Sequence, residues 1–280
     1  MRKSNFVALI TIFAALVAMS FFIGCGGSQG TSGTTGLQLY LADDPLDANA
    51  VNVTISRVDV SKDGTGWTTV RDFTSSPVTI NLLDYRYDGN TATPDKYLLA
   101  DSPLEAGHYT QIRLILTKVE IVDNSNTTYE CLMSSQDKTG LKLVGSFDVV
   151  SGTKSAVLID FDAAKSIVAE GNGVYRLKPT TRVVPLQISG STHGVVEFHG
   201  ADNATVPVPG GAIITAYQGG TSVASALINE ADGTFGISGL VAGDYTLRLE
   251  TPGYSAPDTN VSVTAQGDTD AGTITATVTP

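Results

Sequence analysis

The sequence predicts an all-β protein built as two tandem antiparallel β-sandwich-like domains behind a signal peptide and a flexible tether. Three observations carry that prediction. Apolar and polar residues alternate along most of the chain after residue 36, turn residues punctuate the alternation at short intervals, and one turn motif occurs in both halves. Alternation is diagnostic because successive side chains of a strand point to opposite faces. With 280 residues, 42% of them hydrophobic and 16% charged, the chain is large enough for two cores, and its two cysteines cannot support a disulfide-built scaffold. Seventeen Lys and Arg stand against 28 Asp and Glu, a formal net charge of −11, and no basic run of the kind a nucleic-acid partner requires is present.

Arg2 and Lys3 precede an apolar run over 6–23 that only Thr11 and Ser20 interrupt. Basic, then apolar, then small residues is the order of a secretory signal, here 1–24. The run ends in FIGCGG, with Cys25 directly after Gly24. This resembles the bacterial lipobox, with Phe22 where Leu is usual. The resemblance implies that Cys25 is diacylated, becomes the new N-terminus and is then N-acylated. An ordinary signal and an uncleaved membrane anchor are the alternatives. Residues 25–36 add a Gly/Ser/Thr tether to that Cys, and several acyl chains at about 0.8 kcal/mol per buried CH₂ hold a protein at a membrane where one does not. Gly26 after Cys25 implies outer-membrane sorting in the Gram-negative lipoproteins this segment resembles. If Cys25 carries lipid, Cys131 has no disulfide partner and reads as a small buried hydrophobe.

The elements then follow in order. Leu37, Leu39 and Leu41 form the first stripe, and Val51, Val53 and Ile55 the second. The phase slips to Val58 and Val60, which predicts a bulge or break near Arg57. Asp63-Gly64 supplies a tight turn before Trp67; Ile112, Leu114 and Leu116, then Val157, Ile159 and Phe161, make further stripes. The one helical candidate is AAKSIVAEG, N-capped by Asp162 and closed by Gly171. Around 185–194 the pattern loosens, and alternation resumes at Val196 and Phe198. Tyr245, Leu247 and Leu249, then Val261 and Val263, then Ile274, Ala276 and Val278, complete the second set. The boundary is placed to give domains 37–190 and 191–280. The shared motif is LEAGHYTQIRL at 104–114 and LVAGDYTLRL at 240–249. Its Gly permits a turn, and the Tyr two positions later can reach back to the loop backbone, so Tyr109 and Tyr245 read as structural.

Two family resemblances follow. VPGGAIITAY at 208–217, GTFGISGLVAGDYTLRLETPGY at 233–254 and NVSVTAQGDT at 260–269 make the C-terminal half similar to the carboxypeptidase regulatory-like domain. That resemblance implies a transthyretin-like sandwich with a carbohydrate-binding-like fold, and brings no sugar-binding residue with it. The N-terminal half resembles a bacterial lipoprotein family, domain of unknown function 4382. The matching segments are LYLADDPLDANAVNVTISRVDV at 39–60, INLLDY at 80–85, LEAGHYTQIRL, TGLKL at 139–143, DFDAAKSIV at 160–168 and YRLKP at 175–179. Membership implies no activity.

No HExxH, GxSxG, P-loop or paired CxxC is present, so no enzyme activity is expected. Asp160 and Asp162 flank Phe161 on one strand face; they are the candidate calcium ligands and, as an acid and base pair, the candidate residues of a hydrolase. Their simpler readings are a solvated turn residue and a helix cap. His193, Glu197 and His199 are a second candidate metal set, against a plain polar face. Trp67, Tyr85 and Tyr87, with Asp84 and Asp88 beside the tyrosines, are the candidate ligand-binding rings for a saccharide; their simpler reading is a core Trp and tyrosines over a sheet edge. The expectation is a non-catalytic, lipid-anchored cell-envelope protein without cofactor, contacting membrane lipid through Cys25 and another envelope protein or a polysaccharide, but no nucleic acid. The alternative is a polysaccharide-binding surface lipoprotein using the C-terminal sandwich.

Overall fold

The computed structural model describes residues 34–44, 46–87 and 96–279. The signal peptide, Cys25, most of the tether and Asp88 lie outside the described residues. In chain order the strands are β1 (Gly36–Asp44), β2 (Ala50–Ser61), β3 (Thr68–Asp72), β4 (Val78–Asn81), β5 (Tyr97–Pro103), β6 (Gly107–Val122), β7 (Thr128–Leu132), β8 (Leu141–Val149), β9 (Lys154–Asp162), β10 (Ile167–Gly171), β11 (Val174–Leu177) and β12 (Thr181–Pro185). They continue as β13 (Ser189–His199), β14 (Ile213–Gln218), β15 (Thr221–Leu227), β16 (Thr234–Val241), β17 (Gly243–Leu249), β18 (Tyr254–Ser255), β19 (Thr259–Val263) and β20 (Asp268–Val278). The helices α1 (Ser135–Gly140) and α2 (Ala163–Ser166) are short, of six and four residues.

Strands β12-β9-β1-β5 form one sheet, and β10-β11-β7-β6-β2-β3 form a second, with β4 also on β2 and β8 also on β6. The stripes read from the sequence meet between them. Leu37, Leu39 and Leu41 of β1, with Val157, Ile159 and Phe161 of β9, pack into one core with Val51, Val53, Ile55, Val58 and Val60 of β2 and the stripe of β6. Strands β16-β13-β20-β18 and β15-β14-β17-β19 form the second sandwich around Phe198, Ile214, Phe235, Tyr245 and Leu247. All-β sandwich architecture is therefore as the alternation predicts. Most ladders are antiparallel, but β1 with β9, β7 with β11 and β13 with β20 pair in parallel. These parallel pairings join strands distant in sequence, and the local pattern carries no register information across such distances.

The phase slip at Arg57 is a bulge inside one continuous strand: the β2–β6 register shifts on both sides of Ile55. The predicted helix is shorter than its pattern. Asp162 does cap it, its Oδ1 accepting from the Lys165 N–H at 2.9 Å, but Ile167 and the residues after it turn into β10 and pair with β11. β-Branched Ile167 and Val168 favour the strand once a ladder is available. The loose stretch at 185–194 runs from the end of β12 through a 3₁₀ turn at Leu186–Ile188 into β13, which begins at Ser189. Gly190 is there because any Cβ would collide with the Thr264 carbonyl oxygen, so close backbone approach, and not a loop, explains the glycine.

Both copies of the repeated turn fold alike. Tyr109 Oη donates to the Glu105 carbonyl at 2.9 Å, and Tyr245 Oη to the Val241 carbonyl at 2.7 Å, each four residues back. Gly107 and Gly243 precede them with φ of 149° and 157°, a region that L side chains rarely enter. Each half thus fixes a loop to the start of a core strand by the same tyrosine corner. Cys131 is buried, and burial pushes its thiol up to about 11.

Candidate functional site

The residues singled out for chemistry fall into three places. The first is the end of β9. Asp160 is 5% exposed, buried on the outward side of a strand whose inward side carries Val157, Ile159 and Phe161. That side is covered as well: Leu158 joins Ala42 and Val184 in a small cluster and lies against Gly239 of the second sandwich. Asp160 forms an ion pair with Arg182, its register partner on β12, and Arg182 Nη1 also donates to the Gly239 carbonyl at 3.3 Å. Burial raises the Asp160 carboxyl above its ordinary range, with the Arg182 charge pulling against it. The expectation of a solvated turn residue is therefore corrected: Asp160 is the buried anion of a joint between sandwiches.

Asp162, two residues on, has separate work. It caps α2 and accepts from Lys165 Nζ at 2.7 Å. The 260 Å³ cleft beside it is bordered by Asp162, Lys165 and Arg182 but not by Asp160. Two carboxylates facing one substrate are not assembled here, and no group of three or more His, Cys, Asp or Glu placed to hold a metal ion occurs among the described residues. His193 and His199 also part company. His193 Nδ1 lies 2.8 Å from Asp268 Oδ2, whereas His199 Nδ1 is 3.1 Å from the Asn203 carbonyl.

The second place is the junction around Asp268. Tyr87 Oη donates to Asp268 Oδ2 at 2.8 Å and Ser191 Oγ to Oδ1 at 2.6 Å. Burial pushes the Asp268 carboxyl up, but the hydrogen bonds from Ser191 and Tyr87 and the nearby His193 ring outweigh it and hold the group below the usual range. Tyr87 therefore serves as a tie from the first sandwich to the second. Tyr85 packs against the first core with its ring edge-on to Tyr97 at 5.3 Å. A cleft of about 320 Å³ opens beside this junction, bordered by Asp43, Asp47, Arg86 and Tyr87 on one side and Ile228 and Glu230 on the other.

The third place is Trp67. Asp63 Oδ1 accepts from the Thr65 and Gly66 N–H groups at 2.8 and 3.1 Å, and those backbone donors lower its carboxyl to about 2. The resulting tight turn delivers Trp67 half-buried onto the outside of the larger sheet, not into the core. Its ring lies 4.2 Å from the Arg113 guanidinium and 5.7 Å from Lys142 Nζ. Sequence reasoning found Trp67 and missed Arg113, Lys142, Arg182 and Asp268. The available signal was the i, i+2 spacing of charges on outward strand positions, which does not say which strand lies alongside.

Residues 34–179, just over half of the chain, match the family described as "Domain of unknown function (DUF4382)". The chain belongs to the DUF4382 family. No curated protein matches it. Among solved structures, this DUF4382 protein is similar to GBS52, the minor pilin of the gram-positive pathogen Streptococcus agalactiae, at 14% identity, covering 87% of this chain and 97% of that one with a TM-score of 0.26. A single B repeat unit of the collagen binding surface protein of Staphylococcus aureus matches at 15% identity, 88% and 100% coverage and a TM-score of 0.26. The Bacillus anthracis TIE protein matches at 11% identity and a TM-score of 0.25, and the 83% of this chain that aligns spans only 35% of TIE. Likeness at these scores carries no argument about role. Among the described residues no helix is long and apolar enough to cross a membrane.

Proposed function

We propose that this DUF4382 protein is a non-catalytic, lipid-anchored component of the cell envelope. Cys25 and the 25–36 tether hold it to the membrane, and the domains 37–190 and 191–280 form a docking or recognition arm. The observation that carries this reading is how a candidate catalytic group and a candidate ligand-binding ring are used. Asp160 is bound up with Arg182 in a joint that reaches the Gly239 carbonyl, and Tyr87 in a second joint to Asp268. Groups committed to holding two sandwiches together are not available for proton transfer. Gly26 after Cys25 supports the outer membrane of a Gram-negative bacterium as the address, and another envelope protein as a partner. No cofactor is part of the reading.

The test is fractionation of the full chain and of Cys25→Ala. The unsubstituted protein is expected in the membrane fraction, with an acylated N-terminal Cys by peptide mass. Cys25→Ala is expected to lose the acyl mass. Full-chain protein with an unmodified Cys25, or retention of the same lipid mass in the variant, would refute the anchoring.

A further inference from the structure

The outer face of the sheet β15-β14-β17-β19 carries an aromatic ring held by two neighbours. Ile214 and Ala216 of β14 point into the second core, so Thr215 and Tyr217 point away from it. Register sets Tyr217 beside Thr246 of β17, and Thr246 beside Asn260 of β19. The Tyr217 hydroxyl donates to Glu250, and Thr215 Oγ1 donates to the other oxygen of that carboxylate at 2.8 Å. The Arg248 guanidinium lies 4.7 Å from the centre of the Tyr217 ring, and Arg248 Nε donates to Asp258 at 3.1 Å. Beside the ring is a cleft of about 350 Å³, bordered by Tyr217, Gly219, Asp244, Thr246, Asn260 and Ser262. Thr246 Oγ1 donates to Asn260 Oδ1 at 3.0 Å, and Ser262 Oγ donates to Asp244 Oδ1. Asn260 Nδ2 and Asp244 Oδ2 are left with no partner among the described residues. The β14–β15 turn next to the cleft is Gly219-Gly220, with φ of 58° and 83°, and brings no side chain to its rim.

We propose that this face binds a neutral polysaccharide, with one sugar unit on the Tyr217 ring and its neighbour in the cleft, hydroxyls on Asn260 Nδ2 and Asp244 Oδ2. A pyranose presents C–H groups on its flat side and hydroxyls around its edge. The Tyr217 ring meets the first with an apolar surface, while an uncommitted amide donor and carboxylate acceptor meet the second. Arg248 and Glu250 fix the ring before any ligand arrives, so little freedom is lost on binding. Charge selects the partner. Asp244, Glu250 and Asp258 stand against Arg248 on this side of the sheet, which repels an acidic polymer. A basic partner gains little, because Arg248 already engages Asp258 and stacks on the ring. The cleft is at the small end of the range for ligand sites, so it holds a short stretch of a chain. The inference goes beyond the anchoring, since this face needs neither Cys25 nor lipid.

The test uses the full chain in detergent, run through native gels that contain soluble starch, mixed-linkage β-glucan or galactomannan, with polygalacturonate and poly-lysine as comparisons. The expected result is retardation by at least one of the three neutral polymers, unchanged by added salt, with none by polygalacturonate. Asn260→Ala and Asp244→Ala change exposed side chains, so their melting transitions are expected to stay in place while affinity falls about tenfold each. Tyr217→Ala is expected to abolish retardation and Tyr217→Phe, which keeps the ring, to retain most of it; both are read beside their melting curves. Trp67→Ala, on the other sandwich, is expected to bind as the parent does. Retardation by none of the neutral polymers, or Asn260→Ala and Tyr217→Ala variants that bind normally, would overturn the proposal. Retardation by poly-lysine alone would also overturn it, assigning the face to a basic protein.

Discussion

Arg182→Ala is the substitution that most directly tests the joint between the sandwiches. It strips Asp160 of its counter-charge and the Gly239 carbonyl of a donor. Losing one partner of a buried ion pair costs about 3–5 kcal/mol, and a lost hydrogen bond about 1 kcal/mol. The Arg182 side chain keeps a quarter of its exposure, which sets the expected loss near the low end, about 3 kcal/mol at pH 7. The pH dependence has a definite sign. With its carboxyl raised by burial and no longer opposed by Arg182, folded Asp160 takes up a proton more readily than in the unfolded chain, where the group titrates near 3.9. Stability from a raised carboxyl is present below the unfolded value and is lost as pH rises through the folded one. The variant's deficit is therefore largest at pH 7 and narrows toward about pH 4.5. Urea titrations followed by Trp67 fluorescence and circular dichroism at the two pH values give both quantities. Asp160→Leu combined with Arg182→Leu is expected to recover most of the loss, because no unpaired charge is left inside. A deficit under about 1 kcal/mol, or one that fails to narrow in acid, would refute the reasoning.

Three further outcomes are expected. Tyr109→Phe and Tyr245→Phe each remove one hydrogen bond to a carbonyl without changing ring packing, so each costs about 1 kcal/mol in denaturant titrations; no loss at either would dismiss the tyrosine corners as supports. Cys131, buried with its thiol pushed up to about 11, is expected to resist a thiol reagent at pH 8 until the chain unfolds; rapid labelling of native protein would contradict the burial. The lowered carboxyl of Asp268 contributes stability above its unfolded value, and that contribution is lost as pH falls through the folded one. Tyr87→Phe removes one of the hydrogen bonds holding the group low, so its melting curve is expected to lose less than the parent's when pH is lowered from about 5 to 3; parallel losses would count against the Tyr87–Asp268 tie.

What the sequence showed and what it hid have one physical division. Period-two stripes exposed the core faces of β1, β2, β6 and β9, because alternation is a property of the strand itself. The tyrosine corners were legible for the same reason: Gly107 and Tyr109, like Gly243 and Tyr245, act within a few residues of one another. Everything set by which strand lies beside which was hidden. The acidic pair at Asp160 and Asp162 looked like one site by its spacing, yet the two carboxylates are claimed by different cations, Arg182 from β12 and Lys165 from α2. Trp67 looked like a core residue because it is the sole Trp, yet its contacts are with Arg113 of β6 and Lys142 of β8, brought together only by the sheet. Functional groups in a β-sandwich are assembled across strands, so candidate sites in such a protein are best read from cross-strand register: the row Tyr217–Thr246–Asn260 is a unit in space though no two of its members are neighbours in sequence.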